Sequence, residues 1–378
     1  RTHHAPHTRL LTMFQKRGGQ LVLFIILFLC GGIWLHLENN SDQNLCVVNS
    51  TEAEKRSCFS AREDWDGPLE GKWVFEPEKK DILNLYSRTS TNFTEWRKTA
   101  CFAETTVHSC FFQGKMHLQS ALLSASFSWE PDFCRLHDMN PVEFFTFFSG
   151  RRLVFVGDSI SIQHFQSFLC NLAPFQLNSQ LNWADPSWNG KANCPQGSQH
   201  CYLSSSCIPF PSNVTVCFSS SNRGYTLPTD TVVLNFGLHM FSSKQLEETL
   251  KKFLIPSNAT VIWRETSLQH FLTSDGAWPI SGRSQLDKTN CGKIRDRNDI
   301  YVGETYRRNL NVTNIFASLG HRCLYTVEYA IDFHFGHINQ QSRQDANQNV
   351  YDCTHWCLPG MPDLWSKILY NMLKEMHK

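Results

Sequence analysis

Three short apolar runs, each ended by a glycine or a polar residue, form the clearest pattern in this chain. They occupy residues 153–156, 231–234 and 260–263. Runs of this length and composition are typical of parallel strands that are covered on both faces. Apolar residues at helical spacing follow position 159 and recur over 245–254, which predicts helices between the strands. The pattern therefore predicts an α/β fold, a three-layer sandwich with a mostly parallel central sheet.

A longer apolar run near the N-terminus predicts a membrane anchor. Residues 21–37 are apolar apart from His36, and about 17 residues is the lower limit for a spanning helix. Lys16 and Arg17 precede the run, so the positive-inside rule places residues 1–20 in the cytosol. We expect one transmembrane helix over 21–37 that acts as an uncleaved signal anchor, with a cleaved signal peptide as the alternative.

The rest of the chain divides by composition. Residues 38–57 are polar and aperiodic, as expected for a stem, and 58–149 form a Cys-rich lobe with many tryptophans. Residues 150–378 carry the strand pattern and form the main domain. Within it, 171–230 is rich in Ser, Asn and Gly and predicts a disulfide-held excursion, whereas 362–376 predicts an amphipathic closing helix.

Cysteine and Asn-x-Ser/Thr usage indicate an oxidising, glycosylating compartment. Fifteen cysteines are present, and setting Cys30 aside in the apolar run leaves fourteen, enough for up to seven disulfides. Glycosylation acceptors begin at Asn39, Asn49, Asn92, Asn213, Asn258 and Asn311. The formal net charge is +1, so no global field steers the protein toward nucleic acid. A secretory-pathway protein that does not bind nucleic acid is expected.

Two distant stretches together contain the residue types that make a serine hydroxyl nucleophilic. Gly157, Asp158 and Ser159 directly follow the first strand, and Asp352 lies three residues before His355. A serine at the start of a helix can face a developing oxyanion with its own backbone N–H. Asp352 would orient the His355 ring, which takes the serine proton. The alternative for Gly-Asp-Ser is an ordinary turn with a helix cap, because Asp and Ser both cap helices well.

Two cysteines bracket His355 and leave two alternatives open. Cys353 and Cys357, with the histidine between them, could supply ligands to zinc. In a disulfide-rich chain they are better explained as disulfide partners that hold the loop. We therefore expect no metal at this site.

Polar residues after the other strands are candidates for oxyanion or substrate contacts. Asn235 and Gly237 follow the second strand, and Arg264 follows the third. In open α/β sheets ligands bind beyond the carboxyl ends of the strands. The Asn235 amide is the candidate second oxyanion donor, with a plain turn residue as the alternative. The segment 263–278, with its two tryptophans, contacts substrate or forms a polar network within a loop.

These motifs resemble a known family. Gly157-Asp158-Ser159, the loop from Asp352 to Gly360 that reads DCTHWCLPG, and the segment 263–278 are similar to the trichome birefringence-like proteins, PC-esterases of the SGNH/GDSL superfamily. The resemblance implies an SGNH-hydrolase-like sandwich with Ser159 as nucleophile, His355 as base and Asp352 as its orienting acid. It also implies a single-pass type II Golgi protein. One departure is the stretch 235–240, where plant relatives have a shorter block that ends in tryptophan.

The function expected from motifs and resemblance is O-acetyl transfer onto a polysaccharide or glycan through an acyl-serine. The alternatives are an acetyl esterase that uses the same residues and a non-catalytic glycan-binding wall protein. No bound cofactor is expected; the co-substrate would be acetyl-CoA or an acetyl carrier derived from it. Because a single span cannot carry acetyl-CoA across a membrane, a membrane protein that supplies the donor is a candidate partner.

Overall fold

A computed structural model describes the chain in ten stretches. These are residues 12–17, 20–25, 55–60, 67–77, 123–172, 205–220, 230–235, 259–278, 291–338 and 352–378. The strands are β1 Thr12–Arg17, β2 Gln20–Ile25, β3 Gly71–Phe75, β4 Phe127–Pro131, β5 Arg152–Gly157, β6 Ser205–Pro209, β7 Thr215–Ser220, β8 Thr231–Leu234, β9 Thr260–Arg264 and β10 Arg322–Leu324. The α-helices are α1 Pro141–Phe147, α2 Ser159–Leu172, α3 Arg297–Val302, α4 Glu304–Ser318, α5 Val327–Ala330 and α6 Met361–Met376. Short 3₁₀ turns lie at Pro211–Asn213 and His334–Gly336.

The central sheet has six strands in the order β10-β9-β8-β5-β7-β6. All neighbours are parallel except β6 and β7. The three strands expected from the apolar runs are confirmed as β5, β8 and β9. The expected excursion over 171–230 is partly wrong, because β7 within it pairs with β5 as a full member of the sheet. Its sequence TVCFSS is half polar and lies in a Ser-rich stretch, so the pattern did not reveal it.

Alternate residues of each strand enter two different cores, which makes the fold three-layered. Leu153 and Phe155 of β5 face the side covered by α2 and α6, whereas Val154 and Val156 face the side covered by α4. Strands β8 and β9 alternate in the same way. Because strand side chains alternate between the two faces, a continuous apolar run buries both of them. The predicted three-layer α/β sandwich is confirmed.

The closing helix α6 packs against α2, the helix that begins at Ser159. Ser167 of α2 lies 2.9 Å from Ser366 of α6 between their hydroxyl oxygens and donates to Asp363 Oδ1 at 2.7 Å. Asp363 also accepts from the Gly360 N–H, at the N-terminus of α6. The amphipathic helix expected over 362–376 is confirmed. Through Asp363, its first turn connects Gly360, the last residue of the preceding loop, to Ser167 of α2.

The Cys-rich lobe shares its core with the sheet. Antiparallel strands β3 and β4 place Trp73 against Trp129, and Trp73 stacks on Phe333 with 4.2 Å between ring centroids. The Cys58–Cys134 disulfide belongs to the same buried cluster as α2 and α6. By its contacts, 52–378 is one compact unit. The boundary expected at 149/150 from the composition stays a prediction.

The N-terminal unit contains an antiparallel hairpin of β1 and β2. In the described part of the chain, no helix is both long and apolar enough to cross a membrane. The transmembrane helix predicted over 21–37 is therefore not confirmed: residues 20–25 form a strand, and 26–37 lie outside the described residues. Most of the predicted stem and the helix predicted over 245–254 also lie outside them.

Candidate active site

The turn between β5 and α2 presents Ser159 at the sheet's carboxyl edge. Asp158 caps the helix, because its Oδ1 accepts from the Ile160 N–H at 3.0 Å. Gly157 is needed for steric reasons: a methyl group there would overlap the Ser161 hydroxyl and the Asn235 carbonyl oxygen. Ser159 occupies the first turn of α2, where backbone N–H groups have no intrahelical partner and the helix dipole favours negative charge.

Three side chains predicted from distant parts of the sequence form one hydrogen-bonded chain. His355 Nε2 lies 2.8 Å from Ser159 Oγ, and His355 Nδ1 lies 2.8 Å from Asp352 Oδ2. A carboxylate can only accept, so Nδ1 carries the proton and Nε2 is left to accept from the serine hydroxyl. The histidine and aspartate side chains are 20% and 26% exposed, so this series of hydrogen-bonded side chains is accessible from solvent. This arrangement can deprotonate a serine.

The loop itself holds Asp352 in place. Its Oδ1 accepts from the backbone N–H groups of Thr354 at 3.1 Å and His355 at 3.0 Å, while Oδ2 faces the imidazole. Burial lowers the pKa of His355, but attraction and hydrogen bonding to Asp352, with a smaller attraction to Asp158, outweigh it. The His355 pKa is therefore raised above its ordinary value of 6.5. The carboxylate therefore favours the protonated form of the His355 ring.

A glutamine not predicted from the sequence joins α2, the helix that begins at Ser159, to the loop from Asp352 to Gly360. This loop carries His355 and is called the histidine loop below. Gln163 accepts from the Trp356 N–H at 3.1 Å and donates to the Trp356 carbonyl at 2.6 Å. Gln163 is four residues after Ser159 and therefore on the same helix face. Trp356 directly follows His355, and its indole N–H donates to Ser267 Oγ at 2.9 Å. The spacing of four from Ser159 was the available sequence signal for Gln163.

Disulfides hold both ends of the histidine loop. Cys353 is bonded to Cys291, and Cys357 is also disulfide-bonded. Neither cysteine is available as a zinc thiolate, so the disulfide alternative is confirmed for both. The even cysteine set does not pair completely, however, because Cys323 is a buried free thiol.

The structure does not place Asn235 as an oxyanion donor. The residue is fully buried, and its side-chain amide donates to the Arg264 carbonyl at 2.8 Å and to Thr266 Oγ1 at 3.1 Å. An amide group has only two N–H donors, and both are engaged. Asn235 therefore joins the ends of β8 and β9, which corrects the expectation of an oxyanion contact.

Arg264 is also buried, and its side chain contacts other groups of the protein. Its side chain is fully buried, donates to Ser161 Oγ at 3.2 Å, and lies over the Trp365 ring at 4.9 Å from the centroid. Burial lowers the Arg264 pKa to about 10, partly offset by attraction to Asp158, so the guanidinium stays charged at neutral pH. Arg264 is therefore a buried cation next to Ser161, without the exposed surface that the expected substrate contact would use.

The segment 263–278 forms the polar network that was one of the two alternatives left open by the sequence. Gln269 donates to Thr354 Oγ1 at 2.7 Å and accepts from the Trp278 N–H at 3.0 Å, which makes a polar network with the histidine loop. The Trp278 side chain nonetheless remains 39% exposed and packs edge-on against Phe271. An exposed aromatic ring is thus tethered to the loop that carries His355.

The remaining predicted residues are only partly within the described chain. Gly237 lies outside it, as do the acceptors Asn39, Asn49, Asn92 and Asn258. Asn213 and Asn311 are described and exposed, the first in a 3₁₀ turn and the second on α4.

Comparison with known proteins gives one family and a set of plant relatives. The model of PC-Esterase, described as a "GDSL/SGNH-like Acyl-Esterase family found in Pmr5 and Cas1p", matches residues 136–194 and 220–372. The chain is 23% identical to trichome birefringence-like 31 of Arabidopsis thaliana over 95% of both chains. It is also 23% identical to trichome birefringence-like 43 of the same plant, over 65% of this chain and 76% of the relative.

Proposed function

The chain belongs to the PC-esterase family of GDSL/SGNH-like acyl-esterases, and on that premise we propose that it is an O-acetyltransferase acting on hydroxyls of a polysaccharide or glycan. Membership of this family agrees with the resemblance identified from the sequence motifs. The observation that carries the proposal is the hydrogen-bonded chain Asp352–His355–Ser159. Family membership supports acyl transfer, and the geometry supports a serine nucleophile.

The proposed reaction has two half-steps at Ser159. In the first, Oγ attacks the acetyl carbonyl of the donor while His355 Nε2 takes the hydroxyl proton and then gives it to the leaving group. In the second, an acceptor hydroxyl attacks the acetyl-serine, its proton passes to Nε2, and Ser159 leaves with that proton. The Ser159 N–H, in the first turn of α2, faces the oxyanion in both steps.

A glycan acceptor is supported by the exposed aromatic ring beside the site. Sugar rings present apolar faces that pack on aromatic side chains, and Trp278 offers such a surface. Its tether through Gln269 to Thr354 keeps the ring near His355. We propose acetyl-CoA or an acetyl carrier derived from it as donor, a donor-supplying membrane protein as partner, and the Golgi lumen as location. The cysteines and Asn-x-Ser/Thr sites support that compartment.

An esterase would use the same residues, with water in place of the sugar hydroxyl. The two activities separate when acetate release and acetyl transfer are measured together with saturating oligosaccharide. The proposal expects transfer to exceed release, and both to disappear in Ser159→Ala. Release that dominates despite saturating acceptor would favour the esterase. Binding of oligosaccharide without either activity would favour a non-catalytic glycan-binding protein.

A further inference from the structure

Two buried histidines form a chain of polar contacts behind the histidine loop. His270 Nδ1 lies 2.7 Å from His337 Nε2, and neither side chain is exposed to solvent. His337 Nδ1 lies 3.0 Å from the carbonyl oxygen of His355. His270 Nε2 lies 3.3 Å from the carbonyl oxygen of Ile331. Three contacts therefore connect one backbone carbonyl to another through two imidazole rings.

Counting protons along this chain assigns the tautomers. Both terminal carbonyls can only accept, and a neutral imidazole carries one N–H. Three contacts need three protons, but a neutral pair supplies two. One of the three contacts must therefore lack a proton. This is least unfavourable at the longest contact, between His270 Nε2 and the Ile331 carbonyl oxygen. Nδ1 of His337 then donates to His355, and Nδ1 of His270 donates to His337.

Burial supports a neutral pair near pH 7. Desolvation lowers the pKa of His270 to about 4 and the pKa of His337 well below its ordinary value. The charged groups around the pair act in both directions. Asp332 favours protonation of His270 and Asp352 favours that of His337, whereas His334 opposes the first and His355 opposes the second.

This series of contacts ends at the backbone carbonyl of His355, the proposed base. The His355 carbonyl accepts from the Ile338 N–H at 3.1 Å as well as facing His337, and the His355 N–H donates to Asp352 Oδ1 at 3.0 Å. The His337 ring also stacks on Trp356, with 3.8 Å between centroids and 25° between planes. His337 therefore contacts two consecutive residues of the loop.

We propose that His337 is a positioning residue for His355, protonated on Nδ1 and held in that tautomer by His270. The inference rests on the proposed role of His355 as base. Fixing the His355 carbonyl limits rotation of the loop and keeps Nε2 within reach of Ser159. A displacement of about 1 Å at such a site can reduce turnover on the order of 100-fold.

Two variants separate positioning from packing. His337→Leu removes the donor, whereas His337→Asn keeps an N–H close to the position of Nδ1. We expect kcat to fall on the order of 100-fold in the first, with an unchanged KM, and partial recovery in the second. His321→Leu is the control, because His321 is a partly buried histidine packed against Phe316. Wild-type kcat in folded His337→Leu, or equal loss in both His337 variants, would overturn the inference.

A spectroscopic measurement tests the inference without activity. NMR of the protein labelled with ¹⁵N-histidine should show His337 protonated on Nδ1 and bare on Nε2 at neutral pH, with the signal assigned by its loss in His337→Asn. An Nε2-protonated His337 would overturn the inference even if Ser159 is the nucleophile. If Ser159→Ala kept full transferase activity, the proposed function would fail while the tautomer result stood on its own.

Discussion

Gln163 and Trp356 are joined by two hydrogen bonds between one side chain and one backbone unit. The glutamine is one helical turn after Ser159, and the tryptophan directly follows His355. The pair therefore sets the spacing between Ser159 and His355, although neither residue belongs to the hydrogen-bonded series Asp352–His355–Ser159. Helix α2 and the histidine loop are separated by almost 200 positions along the chain, yet this contact ties them together.

Replacing Gln163 should separate the two halves of the site. In Gln163→Leu the buried N–H and carbonyl of Trp356 lose their partners, at about 1–3 kcal/mol for each unsatisfied group. We expect kcat to fall on the order of 100-fold, because the serine and histidine lose their shared anchor. Gln166→Leu is the matched control: Gln166 is buried in the same helix, and its Oε1 has no hydrogen-bond partner among the described residues. Steady-state kinetics with thermal unfolding would check both, and an unaffected kcat in Gln163→Leu would contradict the anchoring role.

The pH dependence of the reaction should reflect Asp158. His355 must be neutral to accept the serine proton, and its pKa is raised above 6.5, so kcat/KM should fall as pH drops through that raised pKa. Attraction to Asp158 contributes to the increase. In Asp158→Asn the helix cap is retained, because asparagine caps as well as aspartate, but the acid limb should move to lower pH. A pH–rate profile measures the shift, and an acid limb at the same pH in both proteins would argue against this electrostatic link.

Stability should depend on pH through Glu265. This carboxyl is buried and accepts from the N–H groups of Thr326 and Val327. Burial raises its pKa from 4.5 to about 7, so the folded state binds its proton more tightly than the unfolded chain. The free energy of unfolding therefore decreases as pH rises from 4.5 to 7, by about 3 kcal/mol from this group.

Glu265→Gln isolates that contribution. The glutamine oxygen can accept both backbone N–H groups and does not ionise. Relative to wild type, the variant should gain about 3 kcal/mol of stability between pH 4.5 and 7. Urea unfolding at both pH values measures the difference. A stability difference between variant and wild type that is the same at pH 4.5 and pH 7 would contradict the raised pKa of Glu265.

Trp278 should affect acceptor binding more than chemistry. Aromatic packing contributes about 0.5–1.5 kcal/mol beyond area burial, so Trp278→Ala should raise the KM for a glycan acceptor about 3- to 10-fold. The KM for the acetyl donor should not change. Phe133→Ala is the control, because Phe133 is an aromatic residue exposed to 73% on a different segment. If the acceptor KM were the same in Trp278→Ala and wild type, the ring would not be part of the acceptor site.

The strands that carry the site were predictable because they are buried on both faces. The runs at β5, β8 and β9 are apolar except for the threonines that begin the second and third, and that pattern has few alternatives. Strand β7 was not predicted, since its polar residues match those of a loop. Ser159, Asp352 and His355 were identified from residue type, order and resemblance. Their proximity is a property of the α2–α6 packing, which no local pattern encodes.

The hydrogen-bond partners of the buried polar residues could not be predicted from the sequence. Asn235 and Arg264 follow strands at the edge where ligands bind, and that position suggested substrate contacts. In the fold their donors are used by neighbouring strand ends and by Ser161. His337 carries no sequence signal, because its partner His270 is 67 positions away. Position relative to a strand end indicates where a residue lies, whereas its hydrogen-bond partner depends on the completed packing.

The most direct test of the central claim is to trap the acyl-enzyme. The purified protein would be incubated with an acetyl donor, quenched with acid, digested, and analysed by peptide mass spectrometry. The account predicts an acetyl group on the hydroxyl of Ser159 that disappears when oligosaccharide is added before the quench. The same peptide from Ser159→Ala should carry no acetyl group. Acetyl transfer to oligosaccharide by Ser159→Ala at the wild-type rate would contradict the account.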